Sequence, residues 1–299
     1  MKSIRRLSMV LIIAIVAVAL AGCGGAADNK IVVGSKNYTE NMVLGSIIAQ
    51  LIEEKTDLEV EYKENLGGTM VCYEALKNGQ LDIYPEYTGT ALTAQLKMDV
   101  INDADKVYEI VKEEFSKQFG IKWMSPLGLN NTYAVALRED FAQENDIVTV
   151  SDLVPFAGDL VFGAEHEFFD RQDGFDGMVE AYGLLFKGEP VKMDIAMKYQ
   201  AVGQNKIDVT DAFSTDGQLI TFNLRVLEDD KKFFPPYFAA PIIREDTLEK
   251  HPELEDILNE LGNKIDDQRM KEMNYSVESD GKSIGDVARD FLKTEGLID

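Results

Sequence analysis

Residues 82–92 read Asp82-Ile-Tyr-Pro-Glu-Tyr-Thr-Gly-Thr-Ala-Leu92, and the stretch changes character half-way. Asp82 and Ile83 continue the apolar pattern of a buried strand beginning at Leu81. Tyr84-Pro85-Glu86-Tyr87 reads as its end, because proline withholds an N–H from a sheet ladder, and Thr88-Gly89-Thr90 reads as a turn. Large rings gain by burial, so aromatics that close a strand in a Pro/Gly turn need another surface to cover them. The ring of Tyr87 is therefore expected to face a ligand.

Outward from this stretch the chain alternates strands and helices. Ile31-Val-Val-Gly34 is a short strand. Asn37 and Glu40 have capping-box spacing, and Leu44, Ile47, Ile48, Leu51 and Ile52 form one helical face. Leu58 to Tyr62 alternates as a strand. Gly67-Gly68-Thr69 opens a helix running to Leu76, which Asn78-Gly79 ends. This order predicts an α/β fold with a largely parallel sheet.

The second half of the chain echoes the first. "YEALKNGQLDIYPEYTGT" from Tyr73 aligns with "YQAVGQNKIDVTDAFSTD" from Tyr199 at a constant offset of 126. Tyr73 meets Tyr199, Asp82 meets Asp208, and Tyr87 meets Phe213. Two related lobes would each offer a ring at the carboxyl end of a strand, where open α/β sheets bind ligands. The expected organisation is lobe 1 from 31–130 plus 238–299 and lobe 2 from 131–237. The crossovers fall near Pro126–Asn131 and Pro235–Tyr237, with an interlobe cleft between. The last 60 residues read as helical: Leu254, Ile257, Leu258 and Leu261 share a face, and Ser283 and Asp286 have capping-box spacing.

The amino terminus reads as an address. Lys2, Arg5 and Arg6 precede a 14-residue apolar run, Leu7–Leu20, which is short for a bilayer span. Leu20-Ala21-Gly22-Cys23 resembles a bacterial lipobox, so residues 1–23 read as a lipoprotein signal with Cys23 as the lipidation site. An uncleaved anchor is the other reading, and both export the chain. Residues 24–30 are a short polar tether. Cys72 then remains the single thiol, read as a small core residue. The formal charge of −23, or −26 without the three basic leader residues, argues against nucleic acid and anionic lipid as partners.

Enzyme signatures fail on inspection. Gly281-Lys-Ser-Ile-Gly285 matches G-x-S-x-G, but no strand precedes it and no histidine follows it. His166 and His251 are the only histidines, too few for a histidine-rich metal site, and no cofactor is implied. Aromatic residues remain. Tyr87, Tyr133 after Asn131-Thr132, Phe213 and Tyr237 each sit at a strand end or crossover. Singly each reads as packing; four beside one cleft read as a cage. A quaternary ammonium, which cannot donate hydrogen bonds, fits such a cage through the ring quadrupoles at roughly 0.5–2 kcal/mol per desolvated ring.

Gly34-Ser-Lys-Asn-Tyr-Thr-Glu40, Tyr84-Pro-Glu-Tyr-Thr-Gly-Thr90, Asn131-Thr-Tyr133, Asp211-Ala-Phe-Ser-Thr-Asp216 and Phe233-Phe-Pro-Pro-Tyr237 together resemble one family across the whole exported chain. It is the glycine betaine/carnitine/choline-binding lipoproteins of osmoprotectant ABC importers. The resemblance implies a two-lobed type II periplasmic-binding-protein fold with two crossovers. It implies a monomeric binding protein, outside the cytoplasm on a lipid anchor, that serves an ABC permease and its ATPase. Tyr87, Tyr133 and Tyr237 match the family's cage tyrosines, and Phe213 stands where many relatives have tyrosine. Asn131 falls where some relatives have aspartate. Lys36, Thr90 and Arg171 match positions that bind a ligand carboxylate in betaine-binding members; Lys36 and Arg171 also read as exposed salt-bridge partners. The alternative is the same fold binding another polar solute, such as an amino acid.

Overall fold

The computed structural model describes residues 29–299. The leader, Cys23 and the tether up to residue 28 lie outside the described residues.

Two five-stranded sheets organise the chain. The first contains β1 (Lys30–Lys36), β2 (Glu59–Gly67), β3 (Ile83–Tyr87) and β4 (Ile121–Trp123). The second contains β5 (Tyr133–Arg138), β6 (Phe162–Glu165), β7 (Val191–Met193), β8 (Val209–Phe213) and β9 (Leu224–Val226). The chain then returns to the first sheet as β10 (Ala239–Arg244). The orders are β2-β1-β3-β10-β4 and β7-β6-β8-β5-β9.

The sheets are mixed rather than largely parallel. β1 runs parallel to β2 and β3, and β6 runs parallel to β7 and β8. β10 is antiparallel to β3 and β4, and β5 is antiparallel to β8 and β9. The reversed strands are the two by which the chain enters one sheet from the other. They begin at the edge where β3 and β8 end. Helix–strand alternation carries no sign of this reversal, because β5 and β10 follow crossovers and not helices. Its consequence is positional: Tyr133 at the start of β5 pairs with Phe213 at the end of β8, and Ala239 pairs with Tyr87.

The strand at 83 does not stop at Tyr84, but runs through Pro85 to Tyr87. Pro85 is tolerated because it lies opposite Pro241 of β10, so two residues without N–H groups face each other. Thr88–Thr90 is a helical turn, not a reverse turn, and continues as a wider π-type stretch over Ala91–Gln95. Gly89 is required there: a Cβ would lie 2.7 Å from the ring of Tyr237.

The 126-residue echo is geometric. Asp82 donates its N–H to the Val32 carbonyl at 2.8 Å and accepts the Val32 N–H on its carboxylate at 2.8 Å. Asp208 makes the same pair of bonds to Val161, at 2.8 and 2.9 Å.

The helix Thr39–Lys55 buries Leu44, Ile47, Ile48, Leu51 and Ile52, and packs against the carboxyl-terminal helices Asp267–Glu278 and Ile284–Thr294. Ser283 caps the last of these by accepting the Asp286 N–H at 3.0 Å, which accounts for the G-x-S-x-G match. The capping box at Asn37 and Glu40 does not form. Tyr38 precedes the helix, no side chain caps it, and Glu40 is turned into the interior. Cys72 is a buried core residue whose thiol is pushed up to about 12 by desolvation.

Segments 124–132 and 227–238 join the sheets side by side. Leu127 donates to the Ala239 carbonyl at 2.8 Å, and Asn131 donates to the Tyr237 carbonyl at 3.2 Å. The Asn130 side chain accepts the Tyr237 N–H at 2.7 Å. The crossovers are thereby tied to each other as they pass between the sheets.

Candidate functional site

Strand ends from both sheets and one crossover converge on a cavity of about 30 Å³, a space on the scale of one or two waters. Tyr87, Tyr133, Phe213 and Tyr237 all line it. Tyr133 lies 4.7 Å from Phe213 and 5.6 Å from Tyr237, centroid to centroid. A fifth ring completes the wall. Tyr38 stacks on Phe213 at 5.4 Å and approaches Tyr87 at 6.3 Å, bridging a ring of the first sheet to a ring of the second.

Behind the rings lies a layer of buried charge. Lys36 Nζ reaches the Glu86 carboxylate at 2.5 Å and Thr69 Oγ1 at 3.1 Å. Glu86 also accepts from Tyr84 Oη at 2.8 Å and Gln95 Nε2 at 2.7 Å. In the other sheet Lys198 Nζ reaches Asp211 at 2.7 Å and lies 4.4 Å from the centroid of Phe213. Three of the tyrosines lining the cavity donate their hydroxyls to carboxylates: Tyr87 to Glu40 at 2.7 Å, Tyr133 to Glu165 at 2.8 Å, and Tyr237 to Asp173.

Burial raises the carboxyl groups of Glu40 and Glu165 to about 7. For Glu40, donors from Thr215, Tyr87 and Asn131 oppose that rise; for Glu165, the nearby charge of Lys198 does. Burial also acts on Glu167, but the charges of Arg171 and Lys36 outweigh it and hold the carboxyl below its usual range.

The sequence-selected residues divide into two groups. Lys36, Thr90 and Asn131 line the cavity with the four rings. Arg171 does not. Its guanidinium grips Asp173 through Nε at 2.9 Å and Nη2 at 2.7 Å, with Glu167 at 3.3 Å, and lies 5.2 Å from the Tyr133 centroid. Neither Lys36 nor Arg171 is an exposed salt-bridge partner; both are buried.

Polar clasps cross between the sheets around the cavity. Among them, Thr215 donates its hydroxyl to Glu40, the Thr69 N–H reaches Glu167 at 3.3 Å, and Thr93 donates to Asp173 at 3.0 Å. Tyr38, Glu40, Glu86 and Glu165 were not singled out from the sequence. Tyr38 had a usable signal, since it sits outside the apolar face of the helix that follows it.

Residues 29–294 match the family described as the substrate binding domain of ABC-type glycine betaine transport systems. The chain belongs to this family. It is 36% identical over 282 residues to the carnitine transport binding protein OpuCC of Listeria monocytogenes, covering 94% of this chain and 91% of that one. It is 40% identical over 271 residues to an ergothioneine transport permease/ergothioneine binding protein of Helicobacter pylori, covering 90% of this chain and 48% of that one. The crystal structure of a glycine betaine/carnitine/choline ABC transporter protein superposes with a TM-score of 0.75 at 33% identity, over 90% of this chain and 100% of that one. The α/β fold of this substrate-binding protein is that of the two-lobed solute receptors, and the chain serves ABC-type import outside the cytoplasm. Among the described residues no helix is long and apolar enough to cross a membrane.

Proposed function

We propose that this family member captures a quaternary-ammonium solute such as glycine betaine, choline or carnitine in the cavity between its sheets. The cage would be Tyr87, Tyr133, Phe213 and Tyr237, with Tyr38 as its fifth wall, and Lys36, Thr90 and Asn131 as polar contacts. Convergence of rings from two sheets on one cavity supports this reading most strongly. A methylated cation has no N–H to satisfy, so aromatic faces stabilise it without competing for hydrogen bonds. Lobe 1 would be residues 31–130 plus 238–299, and lobe 2 residues 131–237. Parting them at the paired crossovers would break these clasps and open the cavity. The protein would act as a monomer, lipidated at Cys23, delivering solute to its permease without bond chemistry.

Arg171 enters this proposal as a support for Tyr133 and Tyr237 and not as a contact of a ligand carboxylate, because Asp173 occupies it. Calorimetric titration with glycine betaine, choline and carnitine tests the solute class. Micromolar or tighter binding of at least one is expected, and no binding by folded protein overturns the reading. The Helicobacter relative favours a second reading, in which ergothioneine is the preferred solute. Adding it to the same titration separates the two.

A further inference from the structure

The buried cations around the cavity are already matched. Lys36 holds Glu86, Arg171 holds Asp173 and Lys198 holds Asp211, at 2.5, 2.7 and 2.7 Å. Glu40 and Glu165 are left over. Both are buried, and among the described residues neither forms an ion pair.

Glu40 accepts from Tyr87 Oη and Asn131 Nδ2 at 2.7 Å each, from Thr215 Oγ1, and from Asn274 Nδ2 at 3.4 Å. Asp216 and Glu278, the charged groups that act on it, carry its own sign, and the Tyr38 phenol also feels its charge. Glu165 accepts from Tyr133 Oη at 2.8 Å and faces Lys198, Asp211 and Glu167. Lys198 is the cation that acts on it most, and Asp211 already holds it. Arg171 and Lys36 already lie 5.2 and 5.3 Å from the centroids of Tyr133 and Tyr87, but Asp173 and Glu86 hold them, so the surplus negative charge is left facing the cavity, which Glu165 itself lines.

Two further features point the same way. Asn131 gives its amide N–H to Glu40, which leaves its buried Oδ1 without a partner in the cavity wall. Lys36, the one cation in that wall among the described residues, is already neutralised by Glu86. A phenol that donates to a carboxylate also carries more electron density on its ring face, which strengthens its hold on a cation.

We propose that Glu40 and Glu165 are the ligand's counter-charges, Glu40 acting through the Tyr87 hydroxyl and Glu165 from the cavity wall itself, where it also holds the Tyr133 hydroxyl, and that together they favour a solute with net positive charge over a zwitterion. This rests on the reading of the cavity as a quaternary-ammonium site. Both carboxyl groups lie near 7 in the unligated protein, held up by burial. A cation in the cage favours their ionised forms, so binding expels protons and affinity rises with pH through neutrality.

The test titrates choline, a cation, and glycine betaine, a zwitterion, into the purified protein and into Glu165→Gln, Glu40→Gln and Tyr133→Phe. Each glutamine variant is expected to weaken choline about tenfold and glycine betaine by less than about threefold, the scale of one unit of differential charge interaction. Tyr133→Phe keeps the ring but severs it from Glu165, so it should reproduce part of the selective loss. Combining it with Glu165→Gln should add little. Wild-type protein alone gives a readout independent of any variant. At pH 6.5 the heat of choline binding should depend on the buffer's ionisation enthalpy, in the sense of proton release. Equal losses for the two ligands, no loss, or binding without proton release each overturn the proposal. A wild-type protein that binds no quaternary amine instead overturns the reading on which it rests.

Discussion

β3 and β8 occupy the same place in their sheets and carry the same aspartate clasp at their starts, yet their far ends are finished differently. β3 ends in Glu86-Tyr87. The carboxylate holds Lys36, and the phenol is anchored on Glu40. β8 ends in Asp211-Ala-Phe213. The carboxylate holds Lys198, whose ammonium lies against the ring, and the ring has no hydroxyl to anchor. Both ends are thus a ring backed by a buried lysine–carboxylate pair. One ring is also tied by a hydrogen bond, while the other is held only by Tyr38, Tyr133 and the lysine. The frame repeats the ion pair and the ring, and differs in how rigidly each ring is held.

The strongest way to break this parallel is to remove its ion pairs. Lys36→Met and Lys198→Met each leave a buried carboxylate unpaired and should each cost about 3–5 kcal/mol of stability, measured by urea unfolding. Similar losses would support equivalent roles; a negligible loss in one would end the equivalence.

Next in size is Gly89→Ala. Its Cβ would meet the Tyr237 ring at 2.7 Å and force the crossover away from the cavity. A loss of about 1–3 kcal/mol in ligand affinity is expected, with a smaller fall in melting temperature.

Smaller effects sharpen the contrast between the rings. Tyr87→Phe removes one donor from the buried Glu40 and should weaken ligand binding by about 1 kcal/mol. Phe213→Tyr adds a hydroxyl to the ring that is held by packing and should change affinity less. The opposite ranking in a calorimetric series would show that anchoring does not distinguish the two walls.

A separate effect is on pH dependence. Glu40 and Glu165 are raised from 4.5 to about 7, so the folded unligated protein binds more protons than the unfolded chain between those values. Stability should therefore fall as pH rises from about 5 to 7 and level off above. Glu40→Gln should flatten its share of the slope, on the order of 1–3 kcal/mol, in melts at pH 5.5 and 7.5.

Much of this was legible in the sequence, for identifiable reasons. The rings at 87, 133, 213 and 237 are legible because each sits at a strand end or a crossover and not on a helical stripe, and the offset of 126 links two of them. Arg171 is absent from the cavity wall; the sequence displays its charge and not its tie to Asp173 two residues on. Glu40 hid behind its spacing from Asn37, which reads as a helix cap until the carboxylate is seen to turn inward. Glu165 carries no local pattern; its role follows from the β5 register that delivers Tyr133. The reversal of β5 and β10 was illegible for a similar reason, since strand direction is set by which sheet the chain arrives from.

Comparing choline with its uncharged carbon isostere, 3,3-dimethylbutan-1-ol, tests the central claim most directly. The two have the same shape and differ in the charge on the head group. If five aromatic faces bind a cation, choline should bind at least about thirtyfold more tightly, the equivalent of roughly 2 kcal/mol. Equal affinities would mean that the cavity recognises shape alone and would contradict the account.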